Sequence, residues 1–372
     1  MTSHLTILYG CSIITAFLAL ASNCAAEPYA GWAAGDAKDG YGTLIATADS
    51  GATWVRQGSG QIANVQVGGV FAVNPLTAWA VGAPDAGYAT IYHTVDGGTT
   101  WTRKGVGQAA LLNIELLKVH VSSNIVWAVG KDAILRSDDA GATWTNCLPV
   151  AYTNTLLQAV FSLGGSSVWA GGEGTTITDH ATLLYSTNAG QSWVQQVVTQ
   201  ADHILGVSAV NAQTAWAVGG DGFVVLRTDD GGTTWLQQPA QGGLGDANEV
   251  DAVNTQVVWV AVDNFIEWTT NGGQDWTTHG VYNYVMGISA VNETEVWAVS
   301  TGGISMTGDI WHTSTGGATW EPQALLGEAP APLWNVSFAH EPVPEPGSAA
   351  IIVAMGAAFM RIRRRRAARA SA

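Results

Sequence analysis

Thr94-Val-Asp96-Gly-Gly98-Thr-Thr100-Trp101 is one of seven copies of a single phrase in this chain of 372 residues: Ser or Thr, then Asp or Asn (Thr in the last copy), then Gly, then Trp. The others occupy 47–54, 137–144, 186–193, 228–235, 269–276 and 313–320, and the acidic position is filled in turn by Asp49, Asp96, Asp139, Asn188, Asp230, Asn271 and Thr315. The closing Trp residues are spaced by 47, 43, 49, 42, 41 and 44 residues. Self-similarity at that period is the signature of a propeller or solenoid.

Each period holds a second phrase around another Trp, as in Trp79-Ala-Val-Gly82, Trp127-Ala-Val-Gly130 and Trp216-Ala-Val-Gly219, often preceded by a run such as Val70-Phe-Ala-Val73. Short apolar runs bounded by Gly, Asn and Asp read as buried strands. One repeat then supplies four: the Val/Ala run, the Trp-Ala-Val run, a strand such as Thr90-Ile-Tyr-His93, and a last strand opening at the motif Trp. The motif itself marks the tight turn between the third and fourth, where Gly accepts positive φ and the Asp carboxylate can take backbone N–H groups. Fourteen of the 17 Trp fall in the two repeat columns and read as scaffold, each wedged against a neighbouring blade with a ring N–H that needs a partner.

The first repeat begins directly at Trp32, without its Val/Ala strand. That strand reappears at the far end as Trp334-Asn-Val-Ser-Phe-Ala339. The expected fold is all-β: a seven-bladed propeller of four-stranded antiparallel blades, closed by a C-terminal strand that completes the first blade and leaves no open edge.

Over roughly residues 29–340 the Ser/Thr-x-Asp-x-Gly-x-Thr-Trp phrase resembles the Asp-box, or BNR repeat, of sialidases, sortilin-type receptors and bacterial glycosidases. Its pairing with Trp-Ala-Val-Gly strands is most similar to the photosystem II stability/assembly factor family. That resemblance implies an assembly factor with a basic patch for a membrane-protein client. Only eight Lys and Arg precede Pro346, against 29 Asp and Glu, so the chain departs from that pattern.

The ends read as addresses. An apolar stretch running into Cys24-Ala-Ala26 suits a signal peptide over 1–26, the propeller takes 27–341, and 342–372 hold Pro344-Glu345-Pro346, an apolar run of a dozen residues and an arginine block. That run is short for a stable membrane helix, which needs about 20 residues. Pro-Glu-Pro, short helix and basic end together resemble the PEP-CTERM sorting signal, which implies transient anchoring in the inner membrane, processing by exosortase, and release to the cell surface. Net charge before Pro346 is −21, from eight basic and 29 acidic residues, which disfavours nucleic acid and anionic membrane as partners. Of three cysteines only Cys147 lies outside the leader.

Catalytic chemistry finds little support. A sialidase would need an arginine triad and an early Arg-Ile-Pro. Here Arg136 and Arg227 share one repeat column, Arg56 and Arg103 another, and no Arg-Ile-Pro occurs. Residues that recur by repeat position ring the propeller and cannot converge. No carboxylate pair stands out for a glycosidase. His93 and His312 sit in the Arg136 column and read as exposed strand residues, and Asp179-His180 and Asp202-His203 as loop residues. No catalytic residue, metal ligand or resident cofactor is assigned.

One pattern remains. The loop after each Trp-Ala-Val strand carries an acid in every repeat: Asp36, Asp85, Asp132, Asp179, Asp221, Asp263 and Asp309. In a propeller these loops share one face, opposite the motif turns, and the basic residues expected at their level are Lys38 and Lys131. The expectation is an acidic ring that draws a cationic segment or a divalent ion such as Ca2+. Three functions follow: a non-enzymatic exported scaffold for a protein or glycan partner, a photosystem-type assembly factor, or a surface glycoside hydrolase.

Overall fold

Seven four-stranded antiparallel sheets make up the computed structural model, which describes residues 28–174, 180–220, 222–241, 245–281, 283–302, 308–324 and 331–340. Pro28–Val343 forms one compact unit. The signal peptide expected over 1–26 and the sorting signal over 342–372, with Pro344, Glu345 and Pro346, lie outside the described residues, as do Asp179 and Asp221.

Blade 1 joins the two ends of the propeller. Its strands, from the axis outward, are Leu333–Phe338, Gly31–Lys38, Tyr41–Thr47 and Val55–Arg56. Gly31 pairs with Phe338 and Ala33 with Val336, so the last strand completes the first blade as the sequence implied. The inner strands of blades 2 to 7 are Val67–Asn74, Leu116–Ser122, Leu157–Leu163, Ile204–Ala209, Ala247–Ala252 and Val285–Ala290. Each contacts the next around the ring, and Val285–Ala290 contacts Leu333–Phe338 to close it. The only helical elements among the described residues are two three-residue 3-10 turns.

The motif turns repeat one hydrogen-bond plan. In blade 1 the Thr47 hydroxyl accepts from Gly51 N–H (2.9 Å), the Asp49 carboxylate accepts from Thr53 N–H (2.8 Å), and the Thr53 hydroxyl donates to Asp49 (2.6 Å). The same bonds hold Asp139 near pKa 2 through the Thr143 hydroxyl and N–H. Asn188 and Asn271 keep the acceptor and turn their amide N–H toward Ser192 and Asp275. Thr315 accepts from Thr319 N–H (2.9 Å) and pairs its hydroxyl with that of Thr319 (3.0 Å).

Blade-to-blade cohesion comes from tryptophan. The motif Trp of one blade meets the second-strand Trp of the preceding blade edge-on: Trp144 on Trp79, Trp193 on Trp127, Trp276 on Trp216 and Trp320 on Trp259, with centroids 6.0–6.3 Å apart. Each such pair adds about 0.5–1.5 kcal/mol to the area it buries. The expected ring N–H partner exists for some: Gln57 accepts from Trp32 and Trp101, and Gly273 carbonyl from Trp276. Trp127, Trp169, Trp216, Trp259 and Trp297 have none among the described residues.

The third-strand column that reads from sequence as exposed is instead a stacking layer. Register places His93 opposite Trp79 and His312 opposite Trp297, and the rings stack at 4.0 and 4.5 Å. Tyr185 and Trp268 do the same on Trp169 and Trp259, and Arg227 lies 5.1 Å over Trp216. Direct cross-strand partners share one sheet face, so the Trp column draws flat or cationic side chains to cover it.

Candidate functional site

The second-to-third-strand loops and the long connections between blades occupy one face, and the motif turns the other. In blade 1 Lys38 pairs with Tyr41 at the first end and Gly31 with Thr47 at the second. All five described members of the acidic ring therefore share a face, and each is engaged where it stands. Asp36 accepts from the Trp334 ring N–H at 2.7 Å. Asp85 is ion-paired with Arg103, whose other nitrogen donates to Asp85 carbonyl at 2.7 Å. Asp132 accepts from Asn154 N–H, Asp263 from Asn248 (3.1 Å) and Asp309 from Asn283.

These aspartates close their own loops; among the described residues no three His, Cys, Asp or Glu gather in a group able to hold a metal ion. The basic residues at this level are more than Lys38 and Lys131. Arg56 and Arg103, two residues after their motif Trp, reach along the fourth strand to Asp39 and Asp85. The strand direction explains it: the chain leaves the motif turn and climbs toward the loop face. Exposed apolar side chains share this face, with Tyr41 37%, Tyr284 51%, Leu112 50% and Val150 85% accessible. On its rim His203 faces Asp246 at 3.9 Å.

The channel along the axis is a cavity of about 200 Å³ lined by the inner strands, and no repeat motif marks the residues that line it. Glycine is the third residue of the inner strand in blades 2, 5 and 7. A Cβ on Gly69 or Gly206 would come within 2.8–2.9 Å of the next inner strand's backbone. Blade 3 has Lys118 at that position and blade 6 has Glu249, and the two form an ion pair across the channel. Asn335 of blade 1 donates to Glu249 as well (3.4 Å) and accepts from Val70 N–H (2.8 Å). Burial lowers the Lys118 pKa to about 7, so the Glu249 carboxylate is what favours a charged ammonium there.

The fifth residue of each inner strand forms a second level, nearer the motif face. Blades 2, 3 and 4 present Phe71, His120 and Phe161 as a continuous aromatic wall, with centroids 4.4 and 4.5 Å apart. Ser162 N–H donates to His120 Nδ1 (3.3 Å), and burial, with His340 adding to it, drops this imidazole to about pKa 3, so it is neutral. The remaining blades present Ser208, Asp251, Ser289 and Ser337. Each accepts an N–H from the next blade, from Ala252, Ala290, Phe338 and Ala72 at 2.8–3.1 Å. Burial raises the Asp251 pKa, and His340 and the Ala290 N–H oppose that rise. The repeat alignment holds the signal for this level: one column reads Phe, His, Phe, Ser, Asp, Ser, Ser instead of uniformly apolar.

The family profile described as Photosynthesis system II assembly factor YCF48 matches residues 62–198, which span blades 2 to 4. The chain resembles YCF48 there. Two solved YCF48 structures align with it. One, "YCF48 bound to D1 peptide", has a TM-score of 0.52 and 18% identity over 68% of this chain and 80% of that one. The other, YCF48 from Cyanidioschyzon merolae, has a TM-score of 0.50 and 19% identity over 69% and 84%. A GH74 xyloglucanase from Xanthomonas campestris gives 0.54 and 16% over 84% of this chain, which spans little more than half (56%) of that enzyme. A comparison with curated proteins finds no significant match. At these identities the solved structures share the fold alone, and propellers host unrelated functions.

Proposed function

We propose that this chain is an exported, non-enzymatic propeller that holds a protein segment on its loop face, at the bacterial cell surface, after exosortase removes the tail beyond Pro344-Glu345-Pro346. The observation that carries the reading is the composition of that face. Tyr41, Leu112, Val150 and Tyr284 stand exposed among aspartates in a part of the chain with a net charge of −21. Exposed aromatic and aliphatic anchors beside fixed negative charge suit a segment that is itself apolar and cationic. YCF48, which shares the architecture, has been solved with a peptide bound. A glycan is the alternative ligand for the same face.

Two experiments test this. The variant with Asp85, Asp132, Asp221, Asp263 and Asp309 changed to Asn, combined with Tyr284→Ser, should lose retention at the cell surface while keeping the parent's circular dichroism. Retention of the parent should weaken as salt rises past about 0.15 M, where the Debye length is about 8 Å. Equal retention of both proteins would reject the loop face as the docking surface. For sorting, changing Pro344, Glu345 and Pro346 to Ala in an exosortase-bearing host should leave the tail attached, as read by intact mass and fractionation.

A photosystem-type assembly role is the second reading, favoured by the profile match over blades 2 to 4. It predicts co-purification with a photosystem subunit, and a host without photosystems would end it. A glycoside hydrolase reading has only the shared propeller architecture behind it.

A further inference from the structure

The fifth-residue level of the channel is built asymmetrically, and its two halves suit the two ends of one kind of ligand. On one side Asp251 stands between Ser208 of blade 5 and Ser289 of blade 7. One carboxylate oxygen takes the Ala290 N–H, and each serine oxygen, having accepted one N–H, keeps a second lone pair. On the other side Phe71, His120 and Phe161 form the aromatic wall. Lys118 does not neutralise Asp251, because it is committed to Glu249 one level away. His120 is neutral, with Nδ1 occupied by Ser162 N–H. The channel thus holds a carboxylate beyond its own ion pair, half-buried among the inner strands, and the imidazole of His340, exposed at the motif-face mouth, is the titratable side chain near it.

We propose that this level of the channel binds a primary ammonium group carried on a short alkyl chain. The ammonium would donate to Asp251 and to the Ser208 and Ser289 oxygens, while its methylenes and its charge lie against Phe71 and Phe161. A cation over an aromatic face gains about 0.5–2 kcal/mol, and more as water is excluded. Space is sufficient: about 200 Å³ equals the liquid share of roughly six waters. Access is from the motif face, since the Lys118–Glu249 pair spans the channel on the other side. The group can come from a free alkylamine or from a lysine side chain, and this site lies apart from the loop face assigned to a protein segment.

Calorimetric titration with n-butylammonium chloride, Nα-acetyl-lysine N-methylamide and n-butanol tests it on the full chain. The expected result is saturable binding of n-butylammonium and none of n-butanol. Binding of the capped lysine as well assigns the site to side chains; its failure alone assigns the site to free amines. Asp251→Asn keeps an acceptor for Ala290 N–H and should weaken binding about tenfold or more. Should that variant not fold, the Asp251 carboxyl 13C resonance of the parent provides the readout, and it should shift on titration with n-butylammonium. Binding of butanol as tight as that of the amine, unchanged affinity in Asp251→Asn, or an unmoved Asp251 resonance at saturation would overturn the proposal.

Discussion

Trp144 meets Trp79 of the preceding blade edge-on, with centroids 6.3 Å and planes 82° apart, and the contact is set by the glycine three residues before Trp144. Gly141 has φ +78°, and a Cβ there would stand 2.8 Å from the Trp79 ring. The turn therefore needs glycine twice over, once for its backbone and once for the neighbouring indole.

Two alanine substitutions separate these needs. Gly107 has a similar φ (+88°) with nothing within 4 Å of its would-be Cβ. Gly107→Ala should cost only the left-handed backbone, about 1–2 kcal/mol. Gly141→Ala should add the overpacking cost, a further 1–3 kcal/mol. Denaturant melts of the two variants give the comparison, and equal losses would show that the indole yields freely.

The histidine stacked on Trp79 makes the ring acid-sensitive. Burial, with Lys104 nearby, lowers His93 to about pKa 4, below its ordinary 6.5. The unfolded chain then binds more protons than the folded one between those values, so stability falls as pH drops from about 6.5 to 4. His120, held near 3, acts in the same direction. His93→Phe keeps a flat ring on Trp79 without a titrating group. Its melting temperature should fall less between pH 7 and 4.5 than the parent's. Parallel pH profiles would mean His93 is protonated in the fold.

The Lys118–Glu249 pair should behave as a buried pair. Glu249→Leu or Lys118→Met alone leaves one charge without its partner in the channel and should cost about 3–5 kcal/mol, whereas the double change Lys118→Met with Glu249→Leu should cost far less than the sum of the two singles. Urea melts of the three variants form the cycle. Additive losses would show that the two side chains act independently.

The repeats carried the architecture because both of its determinants are local: the motif that makes each turn and the Trp that faces the next blade. Even closure was legible, since a strand missing at Trp32 reappears before Ala339. The sites were less so. Asp85 reads as a free ring charge until strand direction brings Arg103 to it, and His93 reads as exposed until register lays it on Trp79. Lys118 and Glu249 lie 131 positions apart and meet only because the ring brings blades 3 and 6 to opposite sides of one channel. No spacing rule along a chain contains that circular geometry.

Closure itself can be removed. A chain ending at Pro332 loses Leu333–Phe338, and with it the pairing to Gly31–Lys38 and the Asn335 and Ser337 bonds to Val70 and Ala72. It should aggregate or melt well below the parent, because an inner edge is left unpaired. A chain ending at His340 should melt as the parent does. Light scattering with calorimetry distinguishes the outcomes, and a monomeric Pro332 chain with the parent's melting temperature would mean the ring seals another way.

A ring sealed by its two most distant segments also has an order of assembly. The strand that completes blade 1 is the last of the propeller to leave the ribosome, so Gly31–Lys38 must wait beside an open edge until every other blade has been made. Contacts of such long sequence separation form slowly, and an unpaired edge invites association while it waits. For this chain the vulnerable interval is set by the time needed to deliver the final strand, and anything that delays those residues prolongs it.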